Sequence, residues 1–312
     1  MSALEMETYP FGFLWIELTN RCNLHCVHCY AGSSPTGKDA VLSEGEYLDL
    51  IKQAADLGCR KVQFIGGEPT LNPSLPALIR YARNCGMEFV EVYTNARRIP
   101  ETLFECLVEY KVNIAASFYS NDESIHDNIT QVQGSHRSTV ANLRRLAQAE
   151  LPIRIGIIEM SQNAASIPET MKFVEDLGIK EYGTDRVRKF GRANVMSERA
   201  KIDIKELCGS CWQGNLCVHP DGTVSPCIMS KAWCVGSILD VPLDNILQSA
   251  QLRDIRERIY REVWLPANPV TTEPYSSHNP PCDPTCHPRC SPSCQPCWPF
   301  GKCRPQTGSI SI

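Results

Sequence analysis

Residues 11–30 read FGFLWIELTNRCNLHCVHCY, and this stretch decides how the rest of the chain is interpreted. Its first eight residues, 11–18, are mostly apolar, which is typical of a buried β-strand. Three cysteines follow with the spacing Cys22-x3-Cys26-x2-Cys29. Three thiolates on one short loop can bind three irons of a cubane cluster and leave the fourth iron open to a cofactor or substrate. The stretch therefore predicts a strand that leads into a metal-binding loop.

A structural zinc site is the alternative for this loop. His25 or His28 could complete a tetrahedral Cys3His ligand set. The chain has 17 cysteines in 312 residues, and its N-terminus lacks the pattern of a secretory signal. Such a composition indicates metal or redox chemistry rather than a disulfide framework. The motifs that follow favour an iron–sulfur cluster over zinc.

Beyond the cysteine loop, short β-rich runs alternate with helical patterns as far as about residue 185. Ser43 and Glu46 predict a capping box at the start of the first helix, and Gly58 predicts its end. This alternation predicts a parallel sheet with helices on its outer side. Six units are fewer than a closed barrel needs, so we expect an α/β fold, a partial TIM-like (β/α)6 barrel with functional loops after the strands. Strands are predicted at residues 11–18, 61–65, 88–93, 113–117, 153–159 and 180–183, and later helices at residues 75–84, 101–110, 139–147 and 168–177.

The sequence Gly66-Gly67-Glu68-Pro69 follows the second predicted strand. Glycines let the backbone approach a ligand closely, and a carboxylate beside them can pair with an ammonium group. Alone, such a motif is more typical of a turn than of a binding site. Behind the cysteine triplet it resembles the GGEP motif of the radical S-adenosylmethionine (SAM) superfamily, whose hallmark is the same triplet.

This resemblance implies a [4Fe–4S] cluster on Cys22, Cys26 and Cys29, and SAM bound through its amino and carboxylate groups to the open iron. In the family, the reduced cluster cleaves the sulfonium of SAM, and the 5′-deoxyadenosyl radical takes a hydrogen atom from an unactivated carbon. The protein mainly positions that carbon and excludes other hydrogen donors. The positions that match SAM contacts of the family are Gly66, Gly67, Glu68, Pro69, Thr94, Asn95, Ser117 and Glu159. The last four have a simpler alternative as cap or turn residues.

Eleven of the cysteines follow residue 200, and Asp221-Gly222 predicts a hairpin among them. Residues 208–227 and 294–303 resemble the SPASM extension of radical SAM enzymes, which implies one or two auxiliary [4Fe–4S] clusters. The resemblance is incomplete, because the family's run of cysteines continues beyond the position of Cys303. It divides the chain into a partial barrel at residues 1–200 and a Cys-rich, SPASM-like auxiliary domain at residues 201–312. The implied auxiliary ligands are Cys208, Cys211, Cys217, Cys227, Cys294, Cys297 and Cys303.

Other residues have open interpretations. Part of the tail could form a zinc knuckle or an oxidised loop instead of binding a cluster. No feature of the sequence indicates a role for His219. A spare thiol could donate a hydrogen atom to a substrate radical, as an epimerase requires. The candidate hydrogen donors are Cys234, Cys282, Cys286 and Cys290. The basic residues that form either a solvated face or a contact to a carboxylate at the barrel mouth are Arg186, Arg188, Lys189 and Arg192.

The net charge of −4 and the lack of an apolar run of about 20 residues argue against nucleic-acid and membrane partners. We therefore expect a cytoplasmic enzyme of the oxidoreductase or epimerase type, with an electron donor such as flavodoxin or ferredoxin. SPASM-type enzymes most often act on peptides, so the first hypothesis is modification of a ribosomally made peptide.

Two observations bear on the alternatives. About ten residues precede the first predicted strand, so the peptide-recognition module that many peptide maturases carry there is not expected, which weakens the peptide hypothesis. The second hypothesis is an epimerase or dehydrogenase of a small molecule, such as an aminosugar in natural-product biosynthesis. The third is a non-catalytic metal-binding protein, and the GGEP loop argues against it.

Overall fold

The computed structural model of the protein describes residues 10–195 and 202–268. Within these ranges, none of the helices combines the length and the apolar character that crossing a membrane requires. The predicted cluster ligands and hydrogen donors that lie outside the described residues are Cys282, Cys286, Cys290, Cys294, Cys297 and Cys303.

A sheet of nine strands organises the described part of the chain. Its first six strands are parallel and lie in sequence order, which confirms the predicted partial barrel. These strands are β1 (Phe13–Glu17), β2 (Lys61–Ile65), β3 (Phe89–Thr94), β4 (Asn113–Ser117), β5 (Ile153–Glu159) and β6 (Glu181–Arg186). The helices among and after them are α1 (Glu44–Asp56), α2 (Leu75–Asn84), α3 (Glu101–Glu109), α4 (Glu123–Thr130), α5 (Ser135–Gln148), α6 (Ile167–Asp176) and α7 (Gly191–Val195).

Local sequence signals explain where α1 begins and which side of the sheet it covers. Ser43 and Glu46 form the predicted capping box, and Gly58 follows the helix with φ of 89°. The apolar stripe of α1 packs on one face of the sheet, where alternate strand residues such as Leu14 and Ile16 are fully buried. The other face is therefore free to carry polar and ligand-binding side chains.

A seventh strand extends the sheet on its opposite edge. β7 (Asn215–Val218) pairs in parallel with β1, although the paired positions, such as Trp15 and Cys217, are 202 residues apart in the sequence. β8 (Thr223–Ser225) and β9 (Gly236–Ser237) add antiparallel strands, and the first of them completes the predicted hairpin. The helices that follow are α8 (Leu243–Leu247), α9 (Ala250–Ile259), a π-helical segment (Tyr260–Trp264) and α10 (Leu265–Ala267). One sheet thus contains strands from both sides of residue 200. The domain boundary at that residue stays a prediction.

Helix α4 was not predicted, and α5 begins four residues before the predicted start at 139. The early start of α5 has its reason in a cap supplied from the preceding helix. The Asp127 carboxylate accepts hydrogen bonds from Gly134 N at 2.5 Å, Ser135 Oγ at 2.8 Å and His136 N at 2.8 Å. Because this cap comes from seven to nine residues away, the usual local capping patterns do not reveal it.

Candidate functional site

The cysteine loop lies at the carboxyl end of β1, and its thiols are held close to one another. Cys22 is buried, and Cys26 and Cys29 are half-buried. Burial raises the pKa of Cys22 to about 12, with Glu68 as the next cause, and burial also raises the pKa of Cys26 to about 12, assisted by Cys29 and Cys22. Such thiols lose their protons when a metal binds, because metal coordination stabilises the thiolate.

Three donors point at the sulfurs of this loop. Cys22 Sγ accepts from Leu24 N at 3.4 Å and from Asn95 Nδ2 at 3.6 Å, and Cys26 Sγ accepts from the Tyr119 hydroxyl at 3.9 Å. Hydrogen bonds to ligand sulfurs are one of the levers by which a protein sets the reduction potential of an iron–sulfur cluster. The loop therefore carries both the ligands and the donors that such a cluster needs.

Helix α7, which follows the last barrel strand β6, binds the cysteine loop through hydrogen bonds. The Arg192 side chain donates to Cys26 O at 2.8 Å and to Ser33 O at 2.7 Å, while its backbone N–H donates to Cys29 O at 2.9 Å. A Cβ on the preceding Gly191 would lie 2.2 Å from Tyr30 O. Arg192 is thus a support of the cysteine loop and does not belong to a solvated face.

The glycines of the GGEP loop serve close backbone packing. A Cβ on Gly66 would lie 2.7 Å from Thr19 O, and a Cβ on Gly67 would lie 2.1 Å from Arg21 O. In the same contact, Gly67 N donates to Thr19 O at 2.7 Å. We predicted close approach to a ligand at these positions, and the structure shows close approach to the chain that leads into the cysteine loop.

Glu68 connects this loop to the end of β3. Its carboxylate is fully buried and accepts from Thr70 N at 3.1 Å, Thr94 Oγ1 at 2.6 Å and Asn95 N at 2.8 Å. Burial raises the pKa of Glu68, whereas the hydrogen bonds from Thr94, Asn95 and Thr70 oppose that rise. The three hydrogen bonds to this carboxylate therefore hold the ends of β2 and β3 in a fixed relative position.

The other predicted SAM contacts occupy neighbouring strand ends. Ser117 Oγ shares a hydrogen bond of 3.2 Å with the Tyr93 hydroxyl, and Glu159 is exposed at the end of β5. The structure thus joins Cys22, Glu68 and Asn95 through direct hydrogen bonds. It places Ser117 and Glu159 on the same rim of the sheet without linking them to that group.

The cysteine loop fits a [4Fe–4S] cluster with one open iron. Three thiols share one loop, donors already face two of their sulfurs, and the described residues supply no fourth thiol to that group. The set is that of a cluster which leaves one corner for a further ligand.

A second group of thiols lies beyond β6. The Cys211 thiol is in hydrogen-bonding contact with the thiols of Cys208 and Cys227, which raises the pKa of Cys211 and lowers that of Cys208. Cys217 contacts the His219 ring instead, with Sγ 3.8 Å from Nδ1. Cys234 is exposed and donates to Gly236 O at 3.1 Å. Three of the predicted auxiliary ligands are therefore brought together, and Cys217 has different partners.

The three grouped thiols line a cavity of about 160 Å³ on the inner face of the sheet. Across it, Arg154 makes two hydrogen bonds of 2.8 Å to the buried Glu91 carboxylate, which also accepts from Gln63. Burial opposes the charge of Arg154, but Glu91 more than compensates and raises its pKa. The cavity thus combines soft thiol ligands with a paired, internally neutral set of charges.

Sequence reasoning missed a polar chain at the carboxyl ends of β1 and β7. His219 Nδ1 lies 2.7 Å from Glu17 Oε2, and His219 Nε2 lies 2.7 Å from Ser225 Oγ. All three side chains are buried. The available signal was the spacing of Cys217 and His219, which places both on one face of a strand, but nothing local indicated that Glu17 would be their neighbour.

Two family models match the chain. A family model for the radical SAM superfamily matches residues 16–174, and one for an iron–sulfur cluster-binding domain, SPASM, matches residues 208–298. The antilisterial bacteriocin subtilosin biosynthesis protein AlbA of Bacillus subtilis is 26% identical over 265 residues, which cover 75% of this chain and 58% of that protein. A PqqA peptide cyclase of Gluconobacter oxydans is 30% identical over 287 residues, which cover 81% of this chain and 78% of that protein.

Among solved structures, Streptococcus suis SuiB bound to the precursor peptide SuiA superimposes with a TM-score of 0.65 at 16% identity, covering 81% of this chain and 69% of SuiB. At that identity the likeness concerns the fold. The chain spans 54–58% of the length of the first curated relatives it matches.

Proposed function

Because the chain belongs to the radical SAM superfamily, we propose that it is an enzyme that modifies a ribosomally made peptide by hydrogen-atom abstraction. Its cofactors are a [4Fe–4S] cluster, SAM and auxiliary iron–sulfur clusters. When bound, the reduced cluster would supply the electron that cleaves SAM, and SAM would supply the radical that takes the hydrogen atom from the substrate. The observation that carries the SAM-cleaving part of the proposal is the hydrogen-bonded connection from Cys22 through Asn95 to Glu68, which unites the cysteine loop and the GGEP loop.

We assign Cys22, Cys26 and Cys29 as ligands of the SAM-binding cluster. Asn95 and Tyr119 direct hydrogen bonds at two of the ligand sulfurs, and Arg192 holds the loop in place. The SAM site is assigned to the rim formed by the ends of β2 to β5. Its proposed residues are Gly66, Gly67, Glu68, Pro69, Thr94, Asn95, Ser117 and Glu159.

For the auxiliary domain at residues 201–312, we assign Cys208, Cys211 and Cys227 as ligands, because the Cys211 thiol contacts the thiols of the other two and all three residues line the inner cavity. Further ligands would come from Cys294, Cys297 and Cys303. A cluster there would face the Glu91–Arg154 pair across the cavity.

A peptide substrate is supported by what similar proteins do. AlbA takes part in bacteriocin biosynthesis, PqqA peptide cyclase is named for a peptide substrate, and SuiB binds its precursor peptide. The eleven described cysteines are free, which suits a reducing compartment such as the cytoplasm. A low-potential donor such as flavodoxin or ferredoxin would then supply the electron.

The first test is reductive SAM cleavage. The protein is purified and reconstituted with iron and sulfide under anaerobic conditions, reduced, and mixed with SAM, and 5′-deoxyadenosine is measured by mass spectrometry. The Cys22, Cys26 and Cys29 to Ala triple variant should make none. A matched variant with Cys59, Cys85 and Cys106 changed to Ala removes three cysteines that lie on or beside helices and should retain the activity. Equal product from both variants would refute the assignment.

The second test concerns the substrate. Short peptides encoded beside the gene are incubated with the active enzyme and SAM, and the peptide mass and the transfer of deuterium into 5′-deoxyadenosine from deuterated peptide are recorded. A mass change with deuterium transfer supports peptide modification. If deuterium were transferred from an aminosugar and from none of the peptides, the small-molecule hypothesis would replace the peptide hypothesis.

A further inference from the structure

Glu17, Cys217 and His219 form a buried group that the cluster chemistry does not use. One ligand atom from each residue lies within 4.8 Å of the other two. Their exposed fractions are 4%, 0% and 0%. The parallel pairing of β1 with β7 creates this group, because it sets side by side the carboxyl ends of two strands that are 202 residues apart in the sequence.

The hydrogen-bond partners of His219 allow its Nδ1 to act as a metal ligand. Ser225 Oγ lies 2.7 Å from His219 Nε2 and 2.8 Å from Cys227 O, so it accepts from Nε2–H when its own hydrogen goes to that carbonyl. In this tautomer Nδ1 of the neutral ring carries a lone pair, which faces Glu17 Oε2 at 2.7 Å. A proton or a metal ion can occupy the position between these two atoms.

The ligand set matches zinc. A thiolate, an imidazole nitrogen and a carboxylate oxygen are the three ligand types that Zn²⁺ takes in proteins, and sites with three protein ligands keep a fourth position open. The Ser225 contact to the other ring nitrogen is the kind of outer-shell partner that fixes a metal-binding histidine. One thiolate and one carboxylate also balance the charge of the ion, as burial requires.

An unpartnered hydroxyl adjoins the group. The Tyr30 hydroxyl is buried and has no hydrogen-bond partner among the described residues. Glu17 and Cys217 are among the groups close enough to influence it electrostatically. A water molecule on the fourth position of a metal would give this hydroxyl a partner.

We propose that Glu17, Cys217 and His219 bind one Zn²⁺ ion, with an open position toward Tyr30. Binding releases the thiol proton of Cys217, together with any extra proton held by the Glu17–His219 pair, and no electrons are transferred. This assignment gives Cys217 a role apart from the auxiliary cluster and leaves Cys208, Cys211 and Cys227 to that cluster. It does not depend on peptide modification, because zinc is counted without substrate or SAM.

The test uses the full chain with its iron–sulfur clusters loaded, incubated with zinc and then passed through a chelating resin. We expect one zinc per chain, with one sulfur at about 2.3 Å and nitrogen or oxygen at about 2.0–2.2 Å in X-ray absorption. Glu17→Gln, Cys217→Ser and His219→Gln should each lose the ion, and Ser225→Ala should weaken zinc binding by about 10- to 100-fold. Cys59→Ser, a buried cysteine away from the group, is the matched control and should keep it.

Iron content and the thermal midpoint of every variant establish whether it is folded. Absence of zinc from the wild-type protein with full iron content would overturn the proposal. An all-sulfur shell, or zinc that survives in folded His219→Gln, would overturn it as well. The wild-type X-ray absorption result decides the matter even when a variant fails to fold.

Discussion

The side-chain amide of Asn95 donates a hydrogen bond of 3.6 Å to Cys22 Sγ. The backbone N–H of the same residue donates to the Glu68 carboxylate at 2.8 Å. A single residue at the end of β3 therefore connects the first cysteine of the cysteine loop to the buried carboxylate of the GGEP loop. This connection explains how two separate motifs keep one geometry.

Replacing Asn95 with Ala should lower the reduction potential of the SAM-binding cluster, because a donor to a ligand sulfur is lost. A net hydrogen bond is worth about 0.5–1.5 kcal/mol, so the reduced fraction at fixed potential should fall about two- to tenfold. A potentiometric titration followed by electron paramagnetic resonance measures the change. Asn84→Ala, an exposed residue at the end of α2, serves as the control. An unchanged potential in Asn95→Ala would argue against this role.

Replacing Arg192 with Met should loosen the cysteine loop, because the carbonyls of Cys26 and Ser33 lose a charged donor. Hydrogen bonds to charged groups are worth about 1.5–3 kcal/mol, and we expect faster loss of iron in air and lower iron content after reconstitution. Arg186→Gln removes an exposed arginine that pairs with Glu206 and should keep normal iron retention. Equal retention by both variants would show that the loop does not need Arg192.

Replacing Gly67 with Ala should displace the chain before Cys22, because the new Cβ would lie 2.1 Å from Arg21 O. We expect a loss of stability of about 1–3 kcal/mol, typical of overpacking, together with reduced cluster incorporation. Gly45→Ala in α1 is the matched control, since its Cβ would meet no atom within 4 Å. Unfolding by urea and iron analysis distinguish the two variants, and matching results would contradict the close packing described for the GGEP loop.

His126 should make the metal-free protein sensitive to acid. Burial is the main cause that lowers its pKa from 6.5 to about 3, and His136 lowers it further. The unfolded chain therefore binds an extra proton between these pH values, and stability falls as the pH is lowered through this window, by up to about 1.4 kcal/mol per pH unit. Urea unfolding at several pH values should show a shallower dependence for His126→Phe. An identical slope would mean that His126 is protonated in the folded protein.

The sequence by itself determined the order of the six barrel strands and of most helices between them, the first helix cap and the cysteine loop. These features depend on residues that are neighbours along the chain, such as Ser43 with Glu46 or the spacing of Cys22 and Cys26. Hydrophobic period, capping and ligand spacing are local signals, so they can be interpreted without knowledge of the fold. The family motif then indicated the chemistry.

Only the tertiary structure decided which distant residues became partners. Glu17 meets His219 because β7 pairs with β1, and Arg192 reaches Cys26 O because α7 packs on the cysteine loop. The same holds for Gly67, where a side chain is excluded because the carbonyl of Arg21 lies too close. In each case the local sequence on either side carries no information about its partner, since the contact exists only once the sheet has brought both segments together.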